Sequence, residues 1–136
     1  MKNSKVVKIV LIVAGLVGMI VGGANLFVPV EFNASSGIEL GTNISLINEM
    51  RASGGALLLS GIVIFLGAFL GRLTFTSVLL TTILYLGYGF SRIVSMMVDG
   101  IPSNDLVVVA IFEITIGLIS IFIFYKYRID QKLTSH

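Results

Sequence analysis

The stretch from Thr81 to Pro102 reads TTILYLGYGFSRIVSMMVDGIP, and its interpretation decides the fold. Most of it is apolar enough for a lipid bilayer, yet Arg92 lies inside it and Asp99-Gly100-Ile101-Pro102 ends it. On a helix, Thr81, Tyr85, Tyr88, Arg92, Ser95 and Asp99 advance by three or four residues and share one face. A guanidinium turned toward lipid costs about 2.5–3.5 kcal/mol on insertion scales. That face is therefore expected to look into protein or a wet cavity, with other helices supplying partners.

The rest of the chain has the same character. Of its 136 residues 56% are hydrophobic, the mean hydropathy is +1.04, and 12% are charged. A soluble domain carries about twice that share of charge. The composition implies an all-α integral membrane protein, a four-helix bundle forming one transmembrane domain over residues 1–136. Cysteine is absent, which excludes disulfides, thiolate metal sites and thiol redox chemistry. The sole histidine is His136, so bis-histidine haem and a histidine-built zinc site are excluded. No cofactor and no metal is expected. The net charge of +2 and pI near 9.1 come from Lys and Arg at segment ends, not from a phosphate-binding stripe, and no nucleic-acid partner is expected.

Four spans are expected at about 9–28, 46–70, 74–97 and 105–125, with an outer loop at 29–45. Lys2, Lys5 and Lys8 before the first span, and Gly22-Gly23-Ala24 near its end, also fit a signal peptide. The apolar run, however, exceeds the roughly 7–15 residues of a signal core. Gly15, Gly18, Gly22 and Asn25 share one face of this helix, a spacing that lets backbones approach closely. Substituting Gly22 by Leu is expected to be harmful and Leu11 by Ala less so. Pro29 ends the helix, and the loop after it has room for a short hairpin, Val30–Phe32 against Ile38–Leu40. Asn33-Ala34-Ser35 and Asn43-Ile44-Ser45 match the glycosylation pattern, a short motif that often arises by chance. Glu49, Ser53, Ala56, Ser60 and Gly67 form the small-polar face of the second span, and Gly71-Arg72 its link to the third. Ala110, Glu113, Gly117 and Ser120 form that of the fourth. Met96-Met97 read as interfacial packing, and Tyr125 and Tyr127 as interfacial aromatics.

Lys2, Lys5, Lys8, Arg72, Lys126, Arg128 and Lys132 fall on one side of such a bundle, with only Arg51 and Arg92 on or near the other. That bias places both termini in the cytoplasm. Depth along the helices then brings polar residues together in the outer half: Asn25, Glu49, Arg51, Tyr85, Tyr88, Arg92, Asp99 and Glu113. Glu113 lies about 12 Å into its span at 1.5 Å per residue. Arg92 is expected to pair with Glu113 or Glu49, and Arg51 with Asp99 or Glu49. Tyr85 and Tyr88 are placed to donate hydroxyls.

Asn48-Glu49-x-Arg51-x-x-Gly54-Gly55 and Gly89-x-x-Arg92-x-x-Ser95-x-x-x-Asp99-Gly100-x-Pro102 resemble a family of small bacterial four-helix membrane proteins described only as a domain of unknown function. The resemblance covers nearly the whole chain and implies the fold and little about activity. A more distant resemblance is to the Erg28-type family, four-helix scaffold proteins of sterol synthesis. It rests on the polar turn ending in Ala-Arg near a glycine and on a Gly-aromatic-Phe turn, and Arg92 departs from the acidic residue found near that place.

These features point to a non-enzymatic protein of the bacterial cytoplasmic membrane. It would bind a lipid-like amphiphile, or a partner membrane protein or second copy of itself, through the outer polar cluster. Intramembrane ionisable residues favour a functional site, although their balanced charges suit structural self-neutralisation. The alternatives are a small transporter of an amphiphilic or charged substrate, and a membrane enzyme using Glu113 or Glu49 as acid or base.

Overall fold

The computed structural model describes residues 4–135, apart from the side chain of Gln131; Lys2 and His136 lie outside them. The described residues form α1 (Lys5–Phe27), α2 (Pro29–Ala34), α3 (Ile44–Leu66), α4 (Gly71–Val98) and α5 (Asn104–Thr134), with no strand among them. All but α2 are long and apolar enough to cross a membrane. They run up and down, so α1 starts and α5 ends at one end of the bundle, the terminal end, and α2 lies at the other.

The loop after α1 is not a hairpin. Pro29 opens α2, its fixed φ and missing N–H suiting a first helical position. Asn33 then bends its amide back, donating from Nδ2 to the Pro29 carbonyl and to Asn25 Oδ1, both at 2.8 Å. This commits the amide nitrogen of the first glycosylation-like motif to the fold. Asn43 of the second motif caps α3, its Oδ1 accepting from the Leu46 N–H at 3.1 Å. Gly37 at φ 78° and Gly100 at φ 102° make the turns that return the chain into α3 and α5, a backbone region that glycine adopts at no steric cost.

Two helix pairs build the bundle. α1 lies against α3 through glycines: a Cβ on Gly15 would meet the Phe65 backbone at 2.6 Å, one on Gly61 the Met19 N at 2.6 Å, and one on Gly54 the Leu26 N at 2.7 Å. Backbones this close gain dispersion contacts that larger side chains would prevent. α4 and α5 pair less intimately, with Gly89 over Ile114 and Gly117 over Leu86. Phe75 stacks in tilted contact with Phe124 and Tyr127, at 5.5 and 5.7 Å between centroids.

The pairs meet through Val7, Val10, Leu11, Ala14, Ile64, Val78, Tyr85, Ile116 and Ile123. Leu11 is thus a core residue, 1% exposed, and not the mild position expected beside Gly22. The α3–α4 turn comprises residues 67–70, since α3 stops at Leu66 and Gly71-Arg72 already belong to α4. It is held by hydroxyls from α4, Thr74 donating to the Gly67 carbonyl and Ser77 to the Val63 carbonyl, each at 2.8 Å. Thr81 and Thr82 donate to the carbonyls four residues back, which satisfies buried hydroxyls without a partner helix.

The joint between the pairs is concentrated toward the terminal end. Buried positions on α4 stop at Gly89, and Phe90, Ser91, Ile93, Val94, Ser95, Met97 and Val98 are exposed. On α1 the buried positions beyond Ala14 are Gly15, Gly18 and Gly22, which face α3. Farther out, the Ser103 hydroxyl donates to the Ser36 carbonyl at 3.2 Å, joining the two loops at the α2 end.

Candidate functional site

Arg92 sits where α4 leaves the packed core, three residues past Gly89. The absence of a side chain at Gly89 lets α5 come close, and this brings Glu113 opposite Arg92. Arg92 Nε donates to Glu113 Oε2 at 2.7 Å and Nη2 to Oε1 at 3.3 Å, a two-point ion pair in fork geometry. The Glu113 side chain is 12% exposed and that of Arg92 31%. The carboxylate is therefore enclosed, while the guanidinium keeps an open side. Among the described residues Nη1 of Arg92 has no hydrogen-bond partner, so part of its donor fork is unused.

Tyr85 does not serve this pair. Its ring lies edge-on to Phe112 at 6.1 Å, and its hydroxyl crosses to the other helix pair to donate to the Ala14 carbonyl at 2.6 Å. It locks α4 to α1 and marks the outer limit of the joint core. Tyr88, on the same face one turn on, is 37% exposed and stands beside the open stretch of α4.

The eight residues expected to share one cluster fall into separate groups. Arg51 pairs with neither Asp99 nor Glu49. It reaches from α3 to the end of α1, where Nη1 donates to the Leu26 carbonyl and, at 3.5 Å, approaches that of Phe27. The last turn of α1 carries no basic residue of its own, so Arg51 supplies the positive charge that a helix C-terminus favours. Asn25 joins this corner through Asn33 and also donates to the Val21 carbonyl at 3.2 Å. Asp99, just past the end of α4, accepts from the Ser95 hydroxyl at 3.0 Å, a local contact one turn back. Glu49 is exposed on the rim of a shallow recess formed by the first turns of α3.

The bonding state of two side chains is not legible in the sequence. Asn33 looked like a loop residue, and only the helical turn from Pro29 shows it as a hydrogen-bonding hub. Ser120, on the small face of α5, is buried with its hydroxyl unpartnered among the described residues.

A family model described as Domain of unknown function (DUF4345) matches residues 6–124. The chain belongs to that family. The matched region of this DUF4345 protein runs from the first turn of α1 to Phe124 in α5 and includes both the Arg92–Glu113 pair and the Arg51 corner. Neither a curated protein nor a solved structure matches the chain. Nothing in these comparisons supports the Erg28-type resemblance. Within this chain the quoted motif residues have identifiable structural work: Gly54 and Gly89 admit close backbones, Arg51 caps α1, Arg92 holds Glu113, and Gly100 turns the chain.

Proposed function

We propose that this DUF4345 protein is a non-catalytic, multi-pass protein of the bacterial cytoplasmic membrane that holds a lipid-like amphiphile by its polar headgroup at Arg92. The observation that carries the reading is the half-open guanidinium. Its pairing with Glu113 holds it in place, its remaining donors are unused, and Tyr88 and the exposed outer turns of α4 flank it with apolar and hydroxyl surface. A headgroup with acceptor oxygens suits those donors, and its acyl chains suit the neighbouring Ile93 and Val94. The acid–base enzyme is the weaker reading, because both Glu113 oxygens are held by Arg92 and the side chain is only 12% exposed, which leaves a substrate little access to it. Full self-neutralisation of the pair favours a second reading, a structural clasp in a protein that acts by binding a partner membrane protein or a copy of itself.

Mass spectrometry of lipids retained on the purified protein separates the two. Wild type is expected to carry a defined amphiphile, and the Arg92→Leu, Glu113→Leu double variant to lose it while remaining helical. The same lipid complement on both proteins would leave the clasp.

We further place both termini in the cytoplasm, because the terminal end carries Lys5, Lys8, Arg72, Lys126, Arg128 and Lys132. A cysteine at exposed Ala34 is then expected to react with an impermeant reagent applied from outside the cell, and one at Arg72 only after permeabilisation. Labelling of Ala34→Cys from the cytoplasmic side alone would invert the topology.

A further inference from the structure

We propose that a basic recess at the terminal end, remote from Arg92, binds a phosphate-bearing anion, either the headgroup of an acidic phospholipid or free phosphate. The recess has a volume of about 410 Å³ and lies between the start of α1, the α3–α4 turn and the start of α4. That is within the roughly 300–1,000 Å³ typical of small-molecule sites.

Its lining is one-sided in charge. Lys5 and Lys8, one helical turn apart, both line it, and among the described residues no carboxylate does. Phe69 fixes one of them: the Lys8 Nζ stands 5.0 Å from the centre of its ring. The ammonium is thereby held on the wall of the recess with two or three of its donors still available. Ser4 adds a hydroxyl whose oxygen accepts from the Val7 N–H at 3.5 Å, leaving its proton for another acceptor. Gly71, which lines the recess, begins α4 without a side-chain cap, so the positive end of that helix lies at its wall, although the Leu73 N–H already donates to the Leu70 carbonyl at 2.8 Å. The walls are firm, since Thr74 ties the turn by donating to the Gly67 carbonyl at 2.8 Å. Two lysine ammonium groups, the positive end of α4 and no lining carboxylate among the described residues together select an oxyanion of high charge density.

The bland account of these lysines is that they only set orientation, which needs positive charge on that side but no recess and no particular lysine. The two accounts differ in detergent solution, where there is no sidedness. Native mass spectrometry of the full chain with phosphatidylglycerol and, separately, phosphatidylcholine is expected to show selective retention of the anionic lipid. Each lysine near a headgroup contributes about fivefold in affinity, so Lys5→Gln with Lys8→Gln is expected to lower retention about 25-fold. The Lys5→Arg, Lys8→Arg variant is expected to retain it. The Lys126→Gln, Lys132→Gln variant removes two charges from the same end but not from the recess, and is expected to behave as wild type. If phosphatidylglycerol is not retained but inorganic phosphate raises the melting temperature of wild type and not of the double Gln variant, the same site takes the free anion. Equal retention of both lipids without a phosphate response would overturn the proposal. So would wild-type retention by the Lys5, Lys8 Gln variant, or an equal loss in the Lys126, Lys132 variant. The Arg92→Leu, Glu113→Leu protein is expected to retain phosphatidylglycerol, so failure at either site leaves the other standing.

Discussion

Arg92→Ala is expected to lower the stability of the protein in detergent by about 3 kcal/mol, the lower end of the range for breaking a buried ion pair. The lower end applies because the Arg92 side chain keeps 31% of its exposure, whereas Glu113 keeps only 12%. Removing the guanidinium strands the enclosed carboxylate, and stranding a charge costs more than the pair contributes. Arg92→Leu combined with Glu113→Leu is therefore expected to be closer to wild type than either single change. Thermal unfolding of Arg92→Ala, Glu113→Leu and the double variant decides it. If the double variant is no more stable than Arg92→Ala, the pair is not the source of the loss. Arg92→Lys is expected to fall between, since an ammonium cannot reproduce the two parallel N–H bonds to Glu113.

The second large effect concerns two neighbouring glycines in α1. A Cβ at Gly22 would fall against the Leu58 N and 2.8 Å from the Gly54 carbonyl oxygen, whereas one at Gly23 meets nothing within 4 Å. The obstruction at Gly22 is backbone, which cannot swing aside, so the two helices must part. Gly22→Ala is expected to cost about 1–3 kcal/mol, and Gly22→Leu more, by overpacking. Gly23→Ala is expected to be neutral or stabilising by up to about 1 kcal/mol, because a mid-helix glycine is entropically unfavourable. Similar melting temperatures for the two alanine variants would show that α1 and α3 are not in backbone contact. Leu11, fully enclosed in the core, is no longer a suitable mild control; Ile20, exposed on the outside of α1, is.

The same comparison shows what a helical period can reveal. Gly15, Gly18 and Gly22 were legible as a contact face because the spacing of small residues is a local property of one helix. That their partner is α3, through Gly54 and Gly61, is not written in the period. Leu11 was misread for a related reason: on a helix buried from two directions, an apolar residue beside the glycine face can meet the second neighbour instead of lipid. α2 was missed because residues 29–40 are too few for a periodic signal, and the cue that mattered was Pro29 at a first helical position.

The candidate site divides in the same way. By itself the sequence determined that the chain is all-α with four membrane-capable spans, that Arg92 needs an opposite charge, and that Glu113 lies at a matching depth. These follow from composition, length and rise per residue, which involve no long-range contact. Only the tertiary structure decided who pairs with whom. Arg51 reaches the carbonyls ending α1 because α3 crosses there, through Gly54 and Gly22. Tyr85 reaches Ala14 because α4 is rotated to face α1 at that level, and Arg92, two turns on, faces α5 where the pairs have separated. Side-chain partners depend on the rotation and register of helices far apart in the chain, and a helix face known to be polar does not say toward which neighbour it turns.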